Sequence, residues 1–384
     1  MGGSTTRTNP LPPDLVSTMN PCGSLLARLC AVALTASALP ALAGPLTPGN
    51  LVLLEVSGTA NTGGPITLRE LTITGSTVQS LAVNSGSGGG QIAANAPSEG
   101  QISLNAAGDS WTLGVYIPPF TGSGALSGRT SGEAARGFMT LSTSGSVSAT
   151  ATPLTVATGS TAFGGQNIRS GVQAGSDFWF AGSNGTNAGV VVYSGSTATA
   201  TRVQSVNSRV VQVIDGDLYY STGSGTTGLY RYTGLPSGTA TAAALLTSVS
   251  GQGTSPYDFA LAASGSTLYV ADSGIGVQKF TFDGSTWSHA YNFTAAGVTS
   301  NAGFGLAVDF SAENPRLFWT TPTNVYTAVD AGSAAVGTSI ASIATSAGAF
   351  RGLDIVPVPE PSTLVLAGLG IIAVGVAVRR RRAC

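Results

Sequence analysis

The sequence predicts an all-β fold, a β-propeller of about six four-stranded blades, and three observations carry that expectation. Helical periodicity is almost absent: short runs of β-branched and aromatic residues alternate with Gly/Ser/Asn/Asp turns. A six-residue pattern then recurs as Asp177-Phe-Trp-Phe-Ala-Gly, Asp217-Leu-Tyr-Tyr-Ser-Thr, Thr267-Leu-Tyr-Val-Ala-Asp and Arg316-Leu-Phe-Trp-Thr-Thr. Its members Phe178, Leu218, Leu268 and Leu317 are 40, 50 and 49 residues apart, the period of a propeller blade. Finally, the two ends of the body complement each other. Phe350 to Val356 reads as a first strand with no blade after it, whereas Leu51 to Val56, Ile66 to Ile73 and Val78 to Val83 read as three strands lacking a first.

Taken in order, the composite blade made by those ends is followed by units near 100–152, 163–205, 207–249, 255–295 and 302–346. Asn50 to Glu55 and Ser110 to Tyr116 are weaker copies of the repeat. Each copy is followed by a turn and a second run, such as Gly189 to Tyr193 or Val277 to Phe282, and preceded by another, such as Val210 to Ile214. That makes six blades, or seven if the long second unit, with its Gly/Ser-rich loop from Pro118 to Ala134, holds an additional one. A single blade has two open edges and cannot bury its faces alone, so the units must close into a ring. The runs Ser266-Thr-Leu-Tyr-Val-Ala-Asp-Ser and Gly276-Val-Gln-Lys-Phe-Thr-Phe-Asp-Gly resemble strands of NHL- and YVTN-type bacterial propellers, a broad superfold that implies no catalytic residues.

Composition narrows the function. Of 384 residues only 16 are Lys or Arg and 17 Asp or Glu, 9 % against roughly 25 % in ordinary domains. No basic patch of that size can neutralise a phosphate backbone, so nucleic acid is excluded as a partner. With 42 % apolar residues the chain is also no disordered polymer. Cys22, Cys30 and Cys384 lie outside 44–356, which leaves the body without disulfides, thiol nucleophiles or cysteine metal ligands.

The termini are addresses. Arg28, the apolar stretch Leu29 to Leu39 and the A-x-A site Ala41-Leu42-Ala43 form an export signal over 1–43, with Ala41 and Ala43 marking the signal-peptidase site. Counted from Met19 this signal is 25 residues long, a more usual length than 43, so Met19 is the expected true start. At the other end, 357–384, Pro359-Glu360-Pro361 precedes an apolar run, Thr363 to Val378, and Arg379, Arg380, Arg381 and Arg382. Sixteen residues of helix span about 24 Å, short of a ~30 Å bilayer core unless the flanks help, and the arginines hold that end in the cytoplasm. This tail resembles the PEP-CTERM sorting signal of Gram-negative bacteria. The resemblance implies passage through the inner membrane, processing by an exosortase and placement at the cell surface or beyond, often alongside exopolysaccharide production. Without both ends, the body holds 10 basic and 15 acidic residues, a net charge of −5 against −1 for the whole chain.

Catalytic chemistry is thinly provided. His289 is the only histidine and Lys279 the only lysine. A zinc site is therefore not expected, and a Ser-His-Asp triad would have to use a residue that reads as part of an outer strand. Gly223-Ser-Gly-Thr-Thr-Gly228 satisfies G-x-G-x-x-G but lies between strands, with no helix to hold a phosphate. Asp215-Gly216-Asp217 reads as a tight turn, and Asp258, Asp272, Asp283, Asp309 and Asp354 read as strand-end residues with turn duties. Trp111, Trp179, Trp287 and Trp319 mostly follow the repeat and are expected in the core instead of stacking on sugars. One constellation stands apart: Arg169, Arg209 and Arg351 each precede or begin a first strand, and such positions line one mouth of a propeller's channel. They would bind a carboxylate or sulfate there, or else each caps turn carbonyls or pairs with an adjacent Asp, the simpler expectation. The expected protein is a non-enzymatic propeller without cofactor or metal, sorted to the surface to bind or organise extracellular polysaccharide or another surface component. The rival is a propeller lyase or hydrolase acting on glycans through carboxylates at the channel mouth.

Overall fold

The computed structural model describes residues 44–58, 62–83, 88–247, 255–297, 302–345 and 347–358. The export signal with Ala41 and Ala43, and the tail with Pro359, Glu360, Pro361 and the arginines 379–382, lie outside the described residues. Within them the strands form six antiparallel four-stranded blades, each with its first strand innermost. Blade 1 is the composite one: Gly348–Ile355 pairs with Leu51–Ser57, which continues to Ile66–Leu71 and Thr77–Ala82. Blade 2 runs Ile102–Leu104, Ser110–Ile117, Ala135–Ser142 and Thr152–Pro153. Blade 3 runs Ile168–Ala174, Asp177–Gly185, Ala188–Ser194 and Thr199–Gln204. Blade 4 has Ser208–Ile214, Asp217–Thr222, Gly228–Tyr232 and Ala243–Thr247. Blade 5 has Pro256–Leu261, Thr267–Asp272, Gly276–Phe282 and Trp287–Ala295, and blade 6 has Leu306–Asp309, Arg316–Thr320, Asn324–Val329 and Ala335–Ser342.

The aromatic repeat is explained by how the blades stack. Successive side chains of a strand point to opposite faces, and in a propeller each face meets a different neighbour. Thus Phe180 packs into the core shared with blade 2, while Trp179 packs into the core shared with blade 4. On blade 4, Tyr220 faces back to blade 3 and Tyr219 faces on to blade 5. Val270 and Tyr269, then Trp319 and Phe318, repeat the division. Two adjacent large residues per unit are therefore required, one for each inter-blade core. Trp111, Trp179 and Trp319 are all buried in these cores.

Hydroxyls tie the inner strands together where the blades converge. Ser221 Oγ donates to the Tyr257 carbonyl of the next blade at 2.5 Å. Thr320 Oγ1 donates to the Arg351 carbonyl at 2.7 Å and accepts the Gly305 N–H at 2.8 Å. Ser103 Oγ donates to the Val211 carbonyl at 2.7 Å, which links blades 2 and 4 across the narrow centre. Backbone groups that a strand ladder cannot reach are thereby satisfied.

The loop 118–134 holds no additional blade. It carries one 3₁₀ turn, Leu126–Gly128, and is organised by the buried Arg136. That guanidinium donates to the carbonyls of Ala134 at 2.6 Å, Arg129 at 2.7 Å, Ser127 at 2.8 Å and Gln166 at 3.0 Å.

Closure depends on the core between blades 6 and 1, where Leu353 is 1 % exposed beside Leu51, Leu53 and Phe318. Leu353→Ala should lower unfolding free energy by about 2–5 kcal/mol in urea titrations. Val336→Ala, at a position 65 % exposed, should change it by less than about 0.5 kcal/mol.

Candidate anion site at the arginine mouth

The three arginines singled out in the sequence owe their placement to one backbone device. Pairing between first and second strands slips between Ile168 and Ser170 in blade 3 and between Ser208 and Val211 in blade 4. In blade 5 it slips between Pro256 and Phe259, and in blade 1 between Phe350 and Leu353. A β-bulge leaves a residue out of the ladder and redirects its side chain. The residues so released include Arg169, Arg209, Tyr257 and Arg351, equivalent positions on blades 3, 4, 5 and 1. Gln101, just ahead of the blade 2 inner strand, joins them: its N–H donates to the Arg169 carbonyl at 3.0 Å.

These side chains share neighbours. The Arg209 guanidinium lies 3.9 Å from the centre of the Tyr257 ring. Arg169 and Arg351 both feel the carboxylate of the buried Glu99. Burial, with the neighbouring charge of Arg209, pushes Arg169 down to about 10, and burial pushes Arg351 down to about 10. Burial also lowers Arg209.

Capping accounts for part of what the arginines do. Arg169 donates to the Ser208 carbonyl at 2.7 Å, to Ser183 Oγ at 3.1 Å and to Asn207 Oδ1. Arg209 donates to Ser255 Oγ at 2.8 Å, and Arg351 to the carbonyls of Ala94 at 2.7 Å and Phe350 at 3.0 Å. Carbonyl capping, one of the two simpler expectations, is thus what Arg169 and Arg351 show; the other, an ion pair with an adjacent Asp, is not seen among the described residues. The ion pairs among the described residues are Arg69–Glu55, Arg231–Asp217 and Lys279–Asp330, none of them at this mouth. Glu99 acts on Arg169 and Arg351 through space, without an ion pair to either. Its carboxylate accepts from Tyr116 Oη at 2.6 Å, Asn167 Nδ2 at 2.5 Å and the Ala93 N–H at 3.1 Å, and burial pushes it upward despite those bonds.

Four groups at the mouth are left with buried polar atoms lacking a partner: Nε of Arg169, Arg209 and Arg351, and both amide atoms of Gln101. Unpartnered buried donors and cations are costly and uncommon in native proteins. Nε of Arg129 and Arg136, by the 118–134 loop, is in the same state; at the mouth three such atoms stand at equivalent strand starts, with Gln101 beside them. Gly223 belongs to the mouth as well. A Cβ there would fall 2.0 Å from Arg209 Nε, so the first glycine of the G-x-G-x-x-G run makes room for a guanidinium on a strand–turn–strand hairpin.

The opposite end of the channel opens into a cavity of about 910 Å³ lined by Ser103, Gln212, Asp258 and Asp354 among others. Of the aspartates read as strand-end residues, Asp258 lies inside its inner strand, while Asp354 is the penultimate residue of its own. Asp258 accepts from Gln212 Nε2 at 2.8 Å and from the N–H groups of Phe259 and Leu306 at 2.9 Å, which fastens blades 4, 5 and 6. Asp354 accepts from Trp111 Nε1 and the Ile355 N–H, each at 2.8 Å, which fastens blades 1 and 2. The other three do cap turns: Asp272 takes the N–H of Ser255 and Gly274, Asp283 those of Ser285 and Thr286, and Asp309 that of Ser311. Asp215 (φ 51°) and Gly216 (φ 81°) form the expected tight turn. His289 sits half-buried on the outermost strand of blade 5, 2.7 Å from Asn292 Oδ1. Sequence reasoning missed Gln101, Glu99 and Tyr257, although the start-of-inner-strand position that flagged the arginines also flags the first and last.

Residues 357–382 match the PEP-CTERM protein-sorting motif. The motif marks an exported protein that an exosortase processes, that passes the membrane, and that then resides at the surface or outside the cell. No curated protein matches the chain. Among solved structures it is similar to a nidogen/laminin complex, with TM-score 0.46 and 12 % identity over 80 % of this chain and 98 % of that one. It is also similar to a Xanthomonas campestris gluconolactonase, with TM-score 0.41 and 13 % identity over 81 % and 91 %. A periplasmic gluconolactonase of Pseudomonas aeruginosa gives TM-score 0.41 and 12 % identity over 78 % and 81 %.

Burial pushes Asp258 up to about 8 and Asp354 up to about 6, from an ordinary 3.8. The folded protein therefore holds protons that the unfolded chain releases. That contribution is complete below about pH 4 and is lost as the pH rises through the two folded values. Asp217, held low by the Gly234 N–H and by Arg231, acts with the opposite sign only in more acid solution. Melting temperature should fall between pH 5 and about 8.5, and Asp258→Asn should flatten the upper part of that decline in a pH series of thermal melts.

Proposed function

We propose that this PEP-CTERM-sorted propeller is a surface binding protein, without catalytic activity of its own, that captures a carboxylate-bearing component of extracellular polysaccharide at its arginine mouth. The observation that carries the reading is the group of buried guanidiniums and Gln101 with unpartnered atoms and, among the described residues, no carboxylate in an ion pair with it, Glu99 and Asp272 acting only from a distance. A planar carboxylate matches a guanidinium edge with two parallel hydrogen bonds, and the Gln101 amide can donate a further one. The net charge of −5 over the body works against adhesion of a polyanion to the surface at large. Recognition is thereby confined to one inserted acidic group, such as a uronic acid residue. The channel carboxyls Asp258 and Asp354 have their oxygens engaged by donors that join blades, which speaks for a fastening role over a catalytic one.

Charged hydrogen bonds contribute about 1.5–3 kcal/mol each, so losing one should weaken binding roughly 10- to 100-fold. Purified protein should bind oligogalacturonate in isothermal titration, with Arg169→Gln and Arg351→Gln each weakening it by at least about tenfold. A Gly223→Ala variant, by displacing Arg209, should weaken it as well. Release of reducing ends or unsaturated products from the same oligomers would overturn the non-catalytic reading, and unchanged affinity in all three variants would overturn the site.

A further inference from the structure

A second cavity lies between blades 4 and 5, outside the central channel. Its volume is about 790 Å³, and it meets the wide end of the channel at Asp215 and Leu261, on the face opposite the arginines. Blade 5 supplies a pair of aromatic rings on the hairpin joining its two outer strands: Trp287 lies 5.1 Å from Phe282, tilted by 34°. Both are half-buried, so each keeps part of its surface open. Blade 4 supplies Tyr219 and, over its ring at 5.8 Å, the Arg231 guanidinium. Arg231 is held by Asp217 through Nε at 2.6 Å and through Nη2, and Asp217 is itself fixed by the Gly234 N–H at 2.6 Å. The Arg231 side chain remains 45 % exposed, which leaves N–H donors facing outward from a fixed position.

We infer that this groove is a separate binding site for a neutral pyranose unit of a glycan. A pyranose ring has an apolar C–H face and an edge of hydroxyls, and a site for it must offer an aromatic face beside preset planar hydrogen-bonding groups. The groove provides both on facing blades, with Leu245 and Leu261 as an aliphatic floor. A lipid or an apolar peptide would bury the Arg231–Asp217 pair without replacing its hydration, a cost that hydroxyls avoid by bonding to it. The ion pair holds the Arg231 donors in place over the Tyr219 ring. This site does not depend on the arginine mouth. The two share no residue and use different chemistry.

The test is titration of the purified full-length protein with neutral hexaoses, cellohexaose and laminarihexaose, followed by calorimetry and by tryptophan emission. At least one of them should bind and shift the emission, and Trp287→Ala should weaken binding by tenfold or more while leaving the melting temperature of the protein within a few degrees. Arg231→Gln should weaken it as well. Arg169→Gln should leave neutral-hexaose binding unchanged, so failure at the arginine mouth and failure here are told apart. Absence of binding by both hexaoses to folded protein would overturn the inference. Equal affinity in Trp287→Ala would do the same, as would occupation of the groove by an alkyl detergent that neither sugar displaces.

Discussion

The antiparallel pairing of Gly348–Ile355 with Leu51–Ser57 is the constraint on which everything else depends. Each inter-blade core is built from two neighbouring blades, so a blade with one missing neighbour exposes half of a core and an unpaired edge. The closing strand removes both problems at once. Leu353 and Phe350 fill the core shared with blade 6, while Val356, just past that strand, fills the core shared with blade 2. Between 44 and 356 there is no cysteine to staple the ring covalently, so closure rests on this ladder and on packing. Pairing residues nearly the whole body apart also gives a high contact order, which favours slow folding.

The same inner strands that close the ring also shape its two mouths. At their starts, bulges take Arg169, Arg209, Tyr257 and Arg351 out of the ladder. Further along, Asp258 and Asp354 face the wide cavity and accept N–H bonds across blade boundaries. One face of the channel is therefore cationic and incompletely satisfied, and the other acidic and fully engaged. This asymmetry is the physical reason for placing ligand binding at the arginines and mechanical fastening at the aspartates.

Much of the fold was legible in the sequence because propeller blades write the same short pattern at each turn. The adjacent aromatic pairs, Trp179-Phe180 and Tyr219-Tyr220, encode both neighbours of a blade, and the unmatched end strands encode the closure. The arginines were legible as a position, the start of an inner strand. Their lack of carboxylate partners was not, because pairing is settled by bulge register and by which blade lies alongside. Gln101 escaped notice since the blade 2 inner strand is only three residues long and gives little pattern to anchor it. Asp258 was misread as a strand-end residue because a carboxylate in a half-apolar run looks like a terminus. Only donors from neighbouring blades, Gln212 and Leu306, make its interior placement tolerable. The Gly/Ser-rich loop 118–134 misled in the other direction, since it is organised by the single buried cation Arg136 and not by strands.

The central claim is that an exported ring presents its arginine mouth to an acidic sugar. A crystal structure of the protein soaked with a short oligogalacturonate tests it most directly. The account predicts a carboxylate at the channel mouth, within hydrogen-bond distance of Nε of at least two of Arg169, Arg209 and Arg351 and of the Gln101 amide, with the oligomer intact. A cleaved oligomer seated against Asp258 or Asp354, with the arginine mouth empty, would contradict it.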